Sequence, residues 1–184
     1  GTSSDRADEM ACTRPRHRGP TALRGGRGFT LVEMLTVITV MAVLLSVAVP
    51  AFEGVRLSTR LTAYATSLVA ASQLARSEAI KRNATVTLCA SANGTSCATD
   101  GKWEAGWIVL SGTTLLRAQP AAVAGYQIHG STLPLTYDAT GLGVNQATLT
   151  ICRAVPSAGD QERVVKISAT GRTSITKTTT GTCG

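Results

Sequence analysis

Histidine, metal-ligand spacing and paired carboxylates are nearly missing from this chain. Its 184 residues include two histidines, His17 and His129, and no Cys-x-x-Cys pair. That disfavours zinc, which is held by closely spaced cysteine, histidine or carboxylate ligands. His129 stands alone, with no serine or cysteine nucleophile marked beside it, so nucleophilic catalysis has no starting point. Asp138, Asp160 and Glu162 fall in turn-like stretches with no paired arrangement. Gly141-Leu142-Gly143 lacks the third glycine and the following helix of a dinucleotide fingerprint. The Asn83-Ala84-Thr85 and Asn93-Gly94-Thr95 sequons are short enough to arise by chance. These absences describe a protein that is not an enzyme and carries no cofactor and no metal.

Long apolar runs are scarce too: there is one. Phe29 to Val49 is 21 residues with a single charge, Glu33, preceded by an arginine-rich segment and closed by Pro50. About 20 apolar residues suffice to span a bilayer as a helix. A carboxylate in such a helix costs about 2.5–3.5 kcal/mol at the bilayer centre and less towards the interface. Glu33 therefore calls for a cationic partner. A new amino terminus made by cutting after Gly28 is such a partner, offered by Phe29 of a neighbouring copy.

Gly28-Phe29-Thr30-Leu31-Val32-Glu33 resembles the processing site of type IV prepilins and of the pseudopilins of type II secretion. The resemblance implies a cut between Gly28 and Phe29 by a prepilin peptidase that also methylates the new Phe29 amine. It implies that Glu33 pairs with an N-terminus during filament assembly. Residues 1–28 are then a leader peptide, and the partners are the peptidase/methyltransferase, other major and minor pilins or pseudopilins, and the inner membrane. A secretory signal also places a basic start before an apolar stretch. Here the stretch is longer and the cut precedes it, so the helix is retained. Residues 1–9 lack a methionine, which makes Met10 a candidate start.

The net charge of +7 divides at that cut. The leader holds six arginines against Asp5, Asp8 and Glu9, giving +3; the remainder has 12 basic and 8 acidic side chains, giving +4. Positive residues ahead of a first span stay on the cytoplasmic side, so much of the charge is topological. The rest is a mild basic bias that permits polyanion binding without demonstrating it. Cys12 leaves with the leader. Cys89, Cys97, Cys152 and Cys183 remain, and four cysteines allow three pairings. Cys89–Cys97 closes a short loop around the turn dipeptide Asn93-Gly94. Cys152–Cys183 then ties the C-terminal tail to a strand. Disulfides fit an exported domain better than zinc does.

Past Pro50 the pattern becomes amphipathic. Leu57, Leu61, Tyr64, Leu68, Ala71, Ala75 and Ala79 recur at steps of three and four, one face of a helix. The expectation is one helix from about Phe29 to about Arg82, kinked near Pro50, roughly 80 Å long at 1.5 Å per residue. From Thr85 the signal turns to strands, at 85–89, 106–110, 115–118, 123–128, 133–137, 147–152, 163–168 and 172–177. With no second long helix to serve as a crossover, neighbouring strands are expected to be antiparallel. Thr178-Thr179-Thr180-Gly181 is low in complexity and reads as a mobile tail held only by Cys183.

Thr87-Leu88-Cys89, Cys97, Trp103-Glu104-Ala105-Gly106-Trp107-Ile108-Val109 and Gly171-Arg172 are similar to the GspH/FimT branch of minor pseudopilins and minor pilins. This implies an α+β, pilin-like fold with a long N-terminal helix packed on an antiparallel, β-sandwich-like head. Its parts are a transmembrane and filament-core segment at 29–50, the amphipathic half of the helix at 51–83, and a periplasmic head at 84–184. Trp103 and Trp107 read as packing residues. The implied place is the bacterial inner membrane as a single-pass protein, and then a pseudopilus or pilus serving secretion or pilus assembly. Some FimT-like minor pilins bind DNA during natural transformation through a Gly-Arg-x-Arg turn. Here the stretch is Gly171-Arg172-Thr173-Ser174, with the second arginine replaced. Lys177, Arg163 and Lys166 are the nearby cations that would join Arg172 in a sequence-indifferent phosphate patch. The alternative is a strand of solvated charges, which the replacement favours.

Overall fold

The structure is a computed structural model that describes residues 28–130, 132–156, 158–180 and 183. The leader up to Arg27, with Met10 and Cys12, lies outside the described residues. The first helix, α1, is Leu31–Arg82. It opens on a side-chain cap: the Glu33 amide donates to Thr30 Oγ1 at 3.2 Å, and the Met34 amide to the Thr30 carbonyl at 3.1 Å. Thr30-x-x-Glu33 is thus a capping-box sequence with its threonine half engaged, and the acidic residue sits where the helix dipole favours it. α1 ends at Asn83, which takes a left-handed φ of 48°. The Ala84 amide reaches back to the Ala79 carbonyl at 3.2 Å, the closure of a Schellman-type stop.

The chain divides into two compact units, with the boundary after Leu44. In the first, every large apolar side chain from Phe29 to Leu44 is 53–81% exposed. Within α1, an 18-residue window averages a hydropathy of 2.4, and the helix is long and apolar enough to cross a membrane. Thr36 and Thr39 donate their hydroxyls to the carbonyls of Glu33 and Leu35 at 2.8 and 2.7 Å. Such back-bonding satisfies polar groups inside the helix itself.

The second unit begins at Leu45. Its part of α1 buries Leu57, Leu61, Ala65, Leu68, Ala71, Ala75 and Ala79. This corrects one member of the expected stripe. Ala65 takes the central position, and Tyr64 lies half-buried at its margin. There Tyr64 accepts the Val123 amide at 2.9 Å and packs its ring on Tyr126, centroids 5.6 Å apart.

Among the described residues eight strands follow: β1 Val86–Ala90, β2 Trp107–Ser111, β3 Thr114–Gln119, β4 Tyr126–His129, β5 Leu135–Tyr137, β6 Ala147–Arg153, β7 Glu162–Ile167 and β8 Thr173–Thr178. All pair antiparallel, in two four-stranded sheets ordered β3-β2-β1-β5 and β4-β6-β7-β8. Alternation sets the faces. Val86, Leu88 and Ala90, like Leu149 and Ile151, join the α1 stripe in one core that also takes in Trp103 and Trp107. Both sheets therefore share a core with the helix, and a hydrogen bond between Ser72 and the Tyr137 hydroxyl stitches α1 to β5.

The disulfides pair Cys89 with Cys97 and Cys152 with Cys183. Cys89 and Cys152 are buried on the faces turned away from the helix, one on each sheet. The Cys97 loop is shaped by Asn93, whose Oδ1 accepts the amides of Thr95 and Ser96, each at 2.9 Å. The C-terminal tail departs from expectation, because Cys183 is not its sole tether. Thr178 and Thr180 donate their hydroxyls to Glu162 Oε2 at 3.0 and 2.7 Å. Glu162, expected in a turn, opens β7 and is 1% exposed. Burying a carboxylate requires such donors, and threonine supplies them.

Candidate functional site

Two groups of residues were expected to carry function. Gly28, Phe29 and Glu33 lie at the start of the described part of the first unit, all exposed. Across Phe29–Val49, Glu33 is the only ionisable side chain on an apolar surface that has no covering partner among the described residues.

The expected basic patch does not assemble as a unit. Register pairs Arg163 with Lys177 and Lys166 with Ser174. Directly paired residues share a face and successive residues alternate. Arg163 and Lys177 therefore lie on the face of Val165 and Ile167, which is turned to the core, and Lys166 lies on the other. Arg163 is 6% exposed, and its guanidinium donates to Ser58 Oγ at 2.8 Å, Thr62 Oγ1 at 3.2 Å and the Glu162 carbonyl at 3.0 Å. It fastens β7 to α1 and is withdrawn from solvent. This is a correction, and its cause was visible as the alternation Arg163, Val165, Ile167.

Arg172 and Lys166 remain exposed and together line a surface hollow of about 390 Å³ with Thr148, Ser168 and Ser174. Arg172 sits on the β7–β8 turn. There Ser168 Oγ accepts the Arg172 amide at 3.1 Å, and the Gly171 amide donates to the Ser168 carbonyl at 2.8 Å. A cation passed over in the sequence joins it. Arg76 of α1 lines a second hollow of about 390 Å³ with Gln73, Ser77, Thr173 and the same Arg172. Its place off the apolar stripe was legible, but its proximity to a turn 95 residues later was not. Among the described residues, no group of His, Cys, Asp and Glu is placed to hold a metal.

No curated protein matches the chain. Among solved structures, it is similar to the type IV minor pilin FimU of Pseudomonas aeruginosa strain PAO1 in two crystal forms. One aligns at 26% identity with a TM-score of 0.52, covering 65% of this chain and 90% of that one. The other aligns at 26% identity with a TM-score of 0.50, covering 63% and 92%. The prokaryotic N-terminal methylation motif matches residues 23–49. That motif and the apolar helix fit an inner-membrane pilin before assembly. The type II transport protein GspH matches residues 64–171, more than half of the sequence. On that match the chain belongs to the GspH family of type II transport proteins, pilin-like structural subunits and not enzymes.

Proposed function

We propose that the chain is a minor pseudopilin or pilin cut between Gly28 and Phe29, methylated on the Phe29 amine and added to a filament through Glu33. Residues 29–50 hold it in the inner membrane before assembly, and residues 84–184 form the head displayed in the periplasm. The observation that carries the reading is Glu33, the lone charge on an otherwise apolar and uncovered helix surface. In a low-dielectric filament core, a carboxylate is tolerated when an opposite charge and hydrogen-bond donors meet it. A freshly exposed amine on the adjacent subunit supplies both. The apolar side chains exchange lipid for neighbouring helices, so transfer out of the bilayer sacrifices little hydrophobic burial.

Mass spectrometry of the mature protein is expected to give a methylated Phe29 as first residue. Glu33→Ala is expected to leave the subunit in the inner membrane, absent from sheared filaments or crosslinked pseudopilus complexes. Normal incorporation of the Glu33→Ala protein would leave only a membrane-anchored head and end the assembly reading.

A second reading, DNA capture by the head, is favoured by one observation. Arg172 and Lys166 share a hollow lined by hydroxyls and without a carboxylate. Phosphates are met by such groups without regard to base sequence. The site is reduced from the four cations expected, because Arg163 is buried and Lys177 lies on the opposite sheet face from Lys166.

A further inference from the structure

On one face of α1, Ala48 lies between two larger apolar residues, Leu45 a turn before it and Phe52 a turn after, the spacing at which helix side chains are neighbours. With Val49, Glu53 and Arg56 these residues line an exposed hollow of about 350 Å³. Its floor is apolar and its far end is charged. Glu53 and Arg56 are the first ionisable side chains after Glu33, so they stand where the apolar run has ended. About 20 apolar residues cross the hydrocarbon of a bilayer, and the polar headgroup layer begins where they stop. The two charges are not equally compensated. Glu53 Oε2 is met by Arg153 Nη1 of β6 at 3.9 Å, whereas Arg56 takes part in none of the ion pairs among the described residues. One carboxylate against two guanidiniums leaves this end of the hollow at +1. Long helical side chains lean over the turn on the N-terminal side of their own Cα. Arg56 therefore leans towards Phe52 and the apolar run.

We infer that this hollow seats one anionic phospholipid of the periplasmic leaflet, with an acyl chain along Leu45, Ala48, Val49 and Phe52 and the phosphate on Arg56. The inference rests on the reading that residues 29–50 hold the chain in the inner membrane before assembly. A free phosphate ester offers the same anion but has nothing to lay on the apolar floor. The arginine fork suits phosphate oxygens, and its aliphatic stem lies along apolar surface while the head stays in the polar layer. A net positive end prefers a headgroup with no ammonium of its own. The lipid covers an apolar surface that the head leaves open, and it is shed when the helix leaves the bilayer for a filament.

The test uses the full processed chain in nanodiscs holding equal amounts of phosphatidylglycerol, phosphatidylethanolamine and phosphatidylcholine, with retained lipid read by native mass spectrometry. Phosphatidylglycerol is expected to be the lipid retained. Arg56→Gln is expected to cut its retention relative to phosphatidylcholine about fivefold, the effect of one cation near an anionic surface. Arg56→Lys keeps the charge and is expected to keep the preference. Ala48→Phe fills the notch without touching a charge and is expected to lower phosphatidylglycerol retention by a similar factor. Lys81→Gln, the same charge loss about 38 Å further along α1, is expected to change nothing. A loss in Arg60→Gln equal to that in Arg56→Gln would reduce the site to diffuse surface charge and overturn it. Stronger retention of phosphatidylethanolamine overturns the anionic assignment. Displacement by soluble glycerol phosphate at matched concentration overturns the lipid in favour of a free phosphate ester. Retention that falls when a disc carries two chains instead of one gives the hollow to a second copy. Failure of the chain to enter nanodiscs ends the membrane reading itself, whereas entry without any lipid preference ends only this site.

Discussion

The two ends of α1 are both apolar, yet they meet opposite fates. From Phe29 to Val49 the large side chains point in all directions and stay exposed. From Leu57 to Ala79 a single stripe is buried and the other faces carry threonine, arginine and glutamine. Periodicity, and not hydrophobicity, separates them. A helix apolar all round needs an apolar surrounding on every side, whereas a striped one needs a single partner. Here that partner is the core face of the two sheets. The alanines at 65, 71, 75 and 79 add a second lesson. Their small side chains are buried in the core shared with the two sheets, so that half is shaped for its own head. The first half, rich in leucine, valine and methionine, is shaped for lipid or other helices.

Substitution in the two halves should break or sharpen this contrast. Leu61→Ala removes a fully buried side chain from the core and is expected to cost 2–5 kcal/mol, about what such cavities cost elsewhere. Leu44→Ala, in the exposed half, is expected to shift the head's thermal melting by less than about 0.5 kcal/mol equivalent. Equal effects on calorimetric melting would mean that the exposed half is packed on the head after all. Next in size is the clamp on the tail. The Cys152–Cys183 bond spans 31 residues, and chain-entropy reasoning assigns such a loop about 3–4 kcal/mol, often less in practice. Cys152→Ser with Cys183→Ser is expected to lower the melting midpoint by that amount at most. It should also speed hydrogen exchange at Thr179 and Thr180, since the end of β8 and the Glu162 bonds then hold them. Unchanged exchange would place the tether in β8 and Glu162 without the disulfide.

Most of this architecture was readable in advance because it rests on local periodicity. Eight strands appear within a few residues of where alternation puts them, and the switch from helix to strand falls at Asn83, as the loss of the three-and-four pattern indicates. Tertiary placement was not readable to the same degree. Arg163 looked like a surface cation because charge was weighed without strand phase; its apolar neighbours at 165 and 167 already turned it inward. Arg76 escaped notice because nothing local links α1 to the turns at 141 and 171. Glu162 and the threonine tail were misread for a related reason. A buried carboxylate bonded to hydroxyls 16 and 18 residues away leaves no periodic trace. The N-terminal motif lies at the other extreme, a contiguous signal whose meaning needs no folded context.

The smallest expected effect sharpens the contrast at the buried half's far end. Asp138 Oδ1 accepts from the Thr140 hydroxyl and from the amides of Thr140 and Leu142, the amides at 2.8 and 3.1 Å. This holds the turn that sets Gly141 against Ile80 and Arg76. The Thr140 hydroxyl bond holds the Asp138 carboxyl below its ordinary 3.8; desolvation opposes it, and the amides of Leu142, Thr140 and Gly141 add to the lowering. A carboxylate whose pKa is depressed on folding contributes stability that is present above its unfolded value and is lost as pH falls through its folded one. The head should therefore soften below about pH 4, and Asp138→Asn should flatten that part of the profile. Hydrogen exchange at Gly141 and Leu142 is the sensitive readout, because the carboxylate is solvent-exposed and the global change is small. If acid loosened residues 31–44 but left this turn protected, the contrast between the two halves would have its cause elsewhere.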